Sequence, residues 1–234
     1  MKDPLGICTF VSGVEASCVC PHRFLEKKRL FRDAGRLAFG DGAEIVVAPE
    51  MRILDIPGAR TRRIGKVDYV LAKLNSKDQV SDFAALEVQA VYISGDSVKP
   101  AFHHYLASGN FEGQNCFRRI DPRSSLQKRL VPQLNLKVPV FRRWGKKFFV
   151  ALDSMLFEHF PEFRTSCSIQ NSEITWLVYR FAKTGERYAM RAPKILYSLW
   201  EDVLDSLREG NAPTPGEIQE EIDRKKDSLL RIKL

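Results

Sequence analysis

No run in the 234-residue sequence approaches the ~18 consecutive apolar residues of a membrane span, and its N-terminus lacks the charged-then-apolar order of a signal peptide. These absences predict a cytoplasmic protein with no membrane partner. Cysteine is sparse and odd in number, as Cys8, Cys18, Cys20, Cys116 and Cys167, which fits reduced thiols or metal ligation better than a disulfide framework. A phosphate-gripping Gly-Lys-Ser/Thr loop and a nucleophile elbow are both missing, so ATP-driven and serine-hydrolase chemistry have no support. Internal repeats and low-complexity tracts are missing too. The adjacent His103 and His104 have no cysteine or carboxylate at ligand spacing and are read as structural.

The composition, 44% hydrophobic and 28% charged, lies near globular averages and predicts a soluble folded protein. Its length suits one large domain, or one with a modest appendage. A formal charge of +8 and a pI near 9.3 favour a polyanionic partner, of which nucleic acid is the commonest. The charge is concentrated: Arg118, Arg119, Arg123, Lys128, Arg129, Lys137, Arg142, Arg143, Lys146 and Lys147 fall in one tract in which Asp121 is the only acid. Such a tract can lie along DNA, with cations on phosphates and a few arginines, or Gln133 and Asn135, on base edges. Solvated helix faces account for many runs of this kind. Phe141 and Trp144 are read as core.

Two segments organise the chain: a loop-rich, cysteine-bearing stretch over 1–24, and the remainder, 25–234, which ends in helices. Apolar spacing predicts a helix from Leu25 to Phe39, and three β-rich segments follow at Ala43 to Leu54, Arg63 to Leu74 and Phe83 to Ser94, read as an antiparallel meander. A short helix over 97–107, a loop from Asn110 to Asn115, and a helix from Pro122 to Leu136 capped by Ser124 or Ser125 come next. Strands are expected at Phe148 to Leu156 and Ser172 to Phe181, a helix at Ile195 to Arg208, and a charged last helix from about Glu217. The fold class is α+β with an α/β core, a mixed sheet flanked by helices.

Acids inside apolar strands stand out, because an unpaired carboxylate is costly there. Asp68 interrupts Lys66 to Leu71, and Glu87 interrupts Phe83 to Tyr92. Alternation puts Glu87 and Gln89 on one face of their strand, and a hairpin turning near 75–80 can bring Asp68 across from them. Glu50, between Val46 and Ile53, is a third acid in an apolar setting. Carboxylates on neighbouring strands can hold magnesium against a scissile phosphate, where the metal polarises the phosphoryl group and activates water. The plainer reading leaves each acid on the solvent side of an amphipathic sheet.

Asp3 to Cys8, Cys20-Pro-His-Arg-Phe-Leu25, Lys66-Val-Asp-Tyr-Val70, Leu86-Glu-Val-Gln-Ala-Val-Tyr92, Pro132 to Lys137 and Phe141 to Lys146 together resemble the NotI-type restriction endonucleases over roughly residues 3 to 155. The resemblance implies a PD-(D/E)xK core and a type II enzyme of a restriction-modification system. Such an enzyme cuts a short palindromic site in double-stranded DNA as a homodimer, with Mg2+ as cofactor. Its active-site positions map onto Glu50, Asp68, Glu87 and Gln89, with Asp68 and Glu87 as magnesium ligands. Glutamine replaces the usual lysine; being neutral it cannot act as a general base, but it can orient water. The family's four-cysteine metal site, iron or zinc here, is matched by Cys8 and Cys20 alone. That leaves open a truncated start, a lost site, or substitution by Cys18, His22 or Cys116. Two other readings stand beside the restriction enzyme: a non-catalytic DNA-binding protein with a nuclease-like fold, and a repair or processing nuclease without sequence specificity.

Overall fold

The structure, a computed structural model, describes residues 9–12, 15–54, 65–97, 99–110, 118–185, 187–208 and 213–232. Strands β1 (Thr9–Ser12) and β2 (Glu15–Cys18) form a hairpin where loop was expected. A 3-10 stretch, Pro21–Lys28, then leads into α1 (Arg29–Phe39). The α-helix starts four residues after Leu25 because Lys27 and Lys28 adopt positive φ and break the run. The expected meander follows as β3 (Ile45–Arg52), β4 (Lys66–Leu74) and β5 (Val80–Gln89), antiparallel throughout.

The β5 segment is not one strand to Ser94. It ends at Gln89, and β6 (Tyr92–Gly95) leaves the sheet to pair with β7 (Arg118–Asp121), with α2 (Lys99–Ser108) between them. A π-helical turn, Ser124–Leu130, runs into α3 (Val131–Arg143). Neither serine caps it. Asp121 does that work, its Oδ1 accepting from the Ser124 N–H at 2.9 Å while its backbone oxygen accepts from the Ser125 hydroxyl.

Next come β8 (Phe148–Asp153), α4 (Ser154–Phe157) and β9 (Ile174–Tyr179). The hairpin β10 (Phe181–Thr184) with β11 (Arg187–Met190) and strand β12 (Lys194–Ser198) follow. The helix expected from Ile195 begins only at α5 (Trp200–Arg208). Ile195, Leu196 and Tyr197 suit a pleated surface and pair with Leu177, Trp176 and Thr175 of β9, and the Glu173 carboxylate accepts from the Trp200 N–H where the helix starts. The charged α6 (Pro215–Lys225) opens on a Thr214–Glu217 capping box and buries nothing among the described residues.

One mixed six-stranded sheet, in the order β12-β9-β8-β5-β4-β3, organises these elements. The parallel strands β5, β8 and β9 occupy its middle, and every residue of Phe148–Asp153 and Ile174–Tyr179 is buried. Continuous apolar runs of this kind belong in a sheet covered on both faces. On one face α3 supplies Leu134, Val138 and Phe141 against Val67, Ala85, Phe148 and Val150. On the other, α1 supplies Leu30, Ala34 and Ala38 against Leu71, Leu86, Phe149 and Leu177, joined by Cys18 and Phe24 from the N-terminal segment. The chain is thus α+β, with helices on both faces of a mixed sheet.

Candidate active site

Strands β4 and β5 pair with Tyr69 opposite Leu86 and Val70 opposite Ala85, and Asp68 and Glu87 lie just beyond the last paired residues. The two acids engage each other's backbone. The Val88 N–H donates to Asp68 Oδ2 at 2.9 Å, and the Asp68 backbone N–H supports the Glu87 carboxylate. Alternation along β5 turns Glu87, like Ala85, toward α3, where it is only 3% exposed. Burial pushes its carboxyl up to about 7, and the Asp68 charge adds to that rise.

Opposing the rise is a residue with a different expected role. Lys137 of α3 places its Nζ 2.6 Å from Glu87 Oε1 and 2.8 Å from Oε1 of Gln133, one helical turn earlier. The sequence pattern groups it with the cations of a DNA surface; the structure instead buries it against Glu87. Helical spacing carried the signal, since Lys137 falls on the stripe of Leu130, Leu134, Val138 and Phe141 that faces the sheet. A lysine on a buried stripe requires an internal partner.

Glu50 lies beside the pair rather than in it. Pro49 pairs with Tyr69 and Met51 with Val67, so Glu50 falls across from Asp68 with its backbone at φ 52. Its exposed carboxylate accepts from Lys66 Nζ at 2.6 Å, which holds it below the usual range. Glu50, Asp68 and His22 share a cleft of about 660 Å³. Gln89 faces elsewhere, into a cavity of about 320 Å³ with Lys128, Arg129 and Gln133, and its Nε2 donates to the Ala90 carbonyl at 2.6 Å. A continuous line of contacts therefore runs from Asp68 through Glu87 and Lys137 to Gln133, linking the two openings.

The family model for the restriction endonuclease NotI matches residues 10–190. The chain belongs to the NotI restriction endonuclease family. That family is one of type II restriction enzymes, hydrolases of DNA. The matched span extends through β11 and contains Glu50, Asp68, Glu87, Gln89 and the whole basic tract. No curated protein matches the chain.

Within this member of the NotI family the basic tract divides. Arg119, Arg123, Lys128, Arg129 and Arg143 are exposed, and the Arg129 guanidinium stacks 4.1 Å from the centre of the Tyr92 ring. Other members are tied to the protein itself: Arg142 to Glu173 at 2.9 Å, Lys146 to Asp82 at 2.6 Å, and Lys147 to the Ala38 carbonyl at 3.0 Å. The Arg118 side chain lies outside the described residues. Asn135 accepts from Trp200 Nε1 at 3.3 Å, whereas Gln133 lines the cavity that contains Gln89 and accepts from Lys137 through its Oε1. Trp144, expected in the core, follows the last turn of α3 and is 47% exposed, its ring against the edges of Phe83 and Phe141.

Cys8 and Cys116 lie outside the described residues. Cys18 is buried and its Sγ donates to the Cys20 carbonyl at 3.1 Å; burial pushes its thiol far above the ordinary value, so it behaves as a core group. Among the described residues no three His, Cys, Asp or Glu side chains converge as metal ligands, and no helix is long and apolar enough to cross a membrane. One buried acid was missed from the sequence. Asp153, at the end of β8, accepts from the Leu156 N–H at 2.7 Å and the Cys18 N–H at 2.5 Å, capping α4 and fastening the N-terminal hairpin.

Proposed function

We propose that the chain is a magnesium-dependent type II restriction endonuclease with a PD-(D/E)xK core, hydrolysing double-stranded DNA at a specific palindromic site as a homodimer. The observation that carries this reading is the contact of Asp68 with Glu87 across β4 and β5, beside an open cleft and inside the span that matches the NotI family. The donor set fits the ion. Mg2+ takes oxygen ligands, keeps several waters, and is commonly held by one or two carboxylates together with substrate phosphate. Asp68, which lines the cleft, and the buried Glu87 behind it supply two such carboxylates, and the cleft has room for water and a phosphate.

When bound, the metal supplies Lewis-acid polarisation of the phosphoryl group and a more acidic water. The protein's part is positioning. Asp68 is fixed by the Val88 N–H, and Glu87 by the Asp68 backbone and Lys137. Glu50 adds negative charge at the rim of the cleft, and Gln89, neutral and half-buried, is suited to orient water rather than to take its proton. Exposed Arg119, Arg123, Lys128, Arg129 and Arg143 suit phosphate contacts. A structural Fe or Zn at Cys8 and Cys20 belongs to the same reading and is tested by metal analysis of the purified protein.

Incubation with plasmid and phage DNA tests the proposal. Discrete fragments that require Mg2+, and that vanish with EDTA or with Glu87→Ala, are expected. Smears point to a nuclease without sequence specificity, and binding without cutting to a non-catalytic DNA-binding protein; either result overturns the restriction reading.

A further inference from the structure

Among the described residues Lys137 is the one buried cation. Stability explains it poorly, because a buried ion pair is often matched or exceeded by apolar side chains of similar volume, and its helix face is otherwise Leu134, Val138 and Phe141. Its location is more telling. The ammonium sits on the same Glu87 whose carboxylate takes the Asp68 backbone N–H, so the one buried cation stands directly beside the acid pair. Strand β5 brings no cation of its own, since its final position is the neutral Gln89. An ammonium has three donors; here the second is held by Gln133, which lines the cavity that also contains Gln89, Lys128 and Arg129.

Resting on the metal-dependent reading above, we propose that Lys137 is a positioning residue of the cleavage site. It holds Glu87 while no metal is bound, releases that carboxylate to Mg2+, and is retained beside it by Gln133 as the cation that Gln89 does not supply. The ammonium and the divalent ion thus compete for one carboxylate. A neutral orienting partner behaves in the opposite way, since its loss weakens metal binding about 10- to 100-fold.

Mn2+ titration of the full-length, DNA-free protein, followed by electron paramagnetic resonance, separates the two. Lys137→Gln, which keeps a donor near Glu87, is expected to bind Mn2+ about fivefold tighter or more, in the range of ordinary site-to-site coupling. Its single-turnover DNA cleavage is expected to fall about 10- to 100-fold, with part of the rate recovered in Lys137→Arg. Unchanged or weaker Mn2+ binding in Lys137→Gln overturns the proposal. Should the variants not fold, the wild-type protein labelled with ¹⁵N-lysine gives the answer: the one ammonium signal sheltered from solvent exchange must shift as Mg2+ saturates, and a signal that stays fixed overturns the role. A wild-type protein that cuts DNA with Mg2+ while Lys137 fails these tests loses only this inference. One that neither binds Mn2+ nor cuts loses the restriction reading itself.

Discussion

Two buried carboxylates on neighbouring parallel strands, Glu87 of β5 and Asp153 of β8, have opposite surroundings. Asp153 is fully enclosed and both of its oxygens are committed to backbone N–H groups, of Cys18 and Leu156. Neither bond can be given up without orphaning a buried donor, so this acid is a fixed clamp between the N-terminal hairpin, β8 and α4. Glu87 has one backbone donor, the Asp68 N–H, but its other partner is a side-chain cation, and it stands next to a second acid that faces a cleft. Side chains can exchange partners and backbone caps cannot. Burial of an acid therefore does not mark a site; the replaceability of its partner does.

The sharpest way to break this comparison is to remove each acid in turn. Asp68→Ala and Glu87→Ala are each expected to lower Mg2+-dependent cleavage by about a thousandfold or more, as measured on plasmid DNA, with the fold retained. Asp153→Asn is expected to leave the rate of the folded fraction unchanged; a comparable loss there would erase the distinction. Stability should reverse the order. Asp153→Ala leaves two buried backbone donors unsatisfied and is expected to cost about 2–4 kcal/mol in urea unfolding.

The pH dependence follows from the same burial. Glu87 is raised from 4.5 to about 7 and Asp153 from 3.8 to about 6, so between those limits the native state binds more protons than the unfolded chain. Stability is therefore greatest below the unfolded values and is lost as pH rises through the folded ones, from about 4 to about 7. Glu87→Gln is expected to flatten the upper part of that slope in melting temperatures recorded from pH 5 to 8. Because protons compete with the ion for Glu87, Mn2+ is expected to bind about tenfold more weakly at pH 6 than at pH 8. The smallest effect belongs to the surface. Arg129→Ala is expected to reduce the salt slope of DNA binding by about one, and Arg142→Ala, whose partner is Glu173, by less.

Much of the molecule follows from periodicity. The meander of β3, β4 and β5 is legible because each strand is bounded by turn residues, and alternation already sets Glu87 and Gln89 apart from Leu86 and Val88. Helix boundaries are less legible: Ile195 to Ser198 scans as helix but pairs with β9, since a short apolar run is equally at home in either state until a partner strand is present. At the candidate site, Asp68 and Glu87 are marked by their apolar neighbours. The partners of Glu50 and Gln89 are not, because Lys66 reaches Glu50 only across the β3–β4 pairing and Gln89 turns back onto the neighbouring Ala90 carbonyl.

By itself the sequence determined the class of the protein, its basic character, the meander and the acid pair within it, all properties of local pattern and charge. Tertiary structure alone decided which partner an inward-turned cation meets. Lys137 and Glu87 are fifty positions apart, and no local rule couples them. Their pairing arises only when α3 packs on the sheet and its buried stripe carries an ammonium into an interior that tolerates it nowhere except beside a carboxylate.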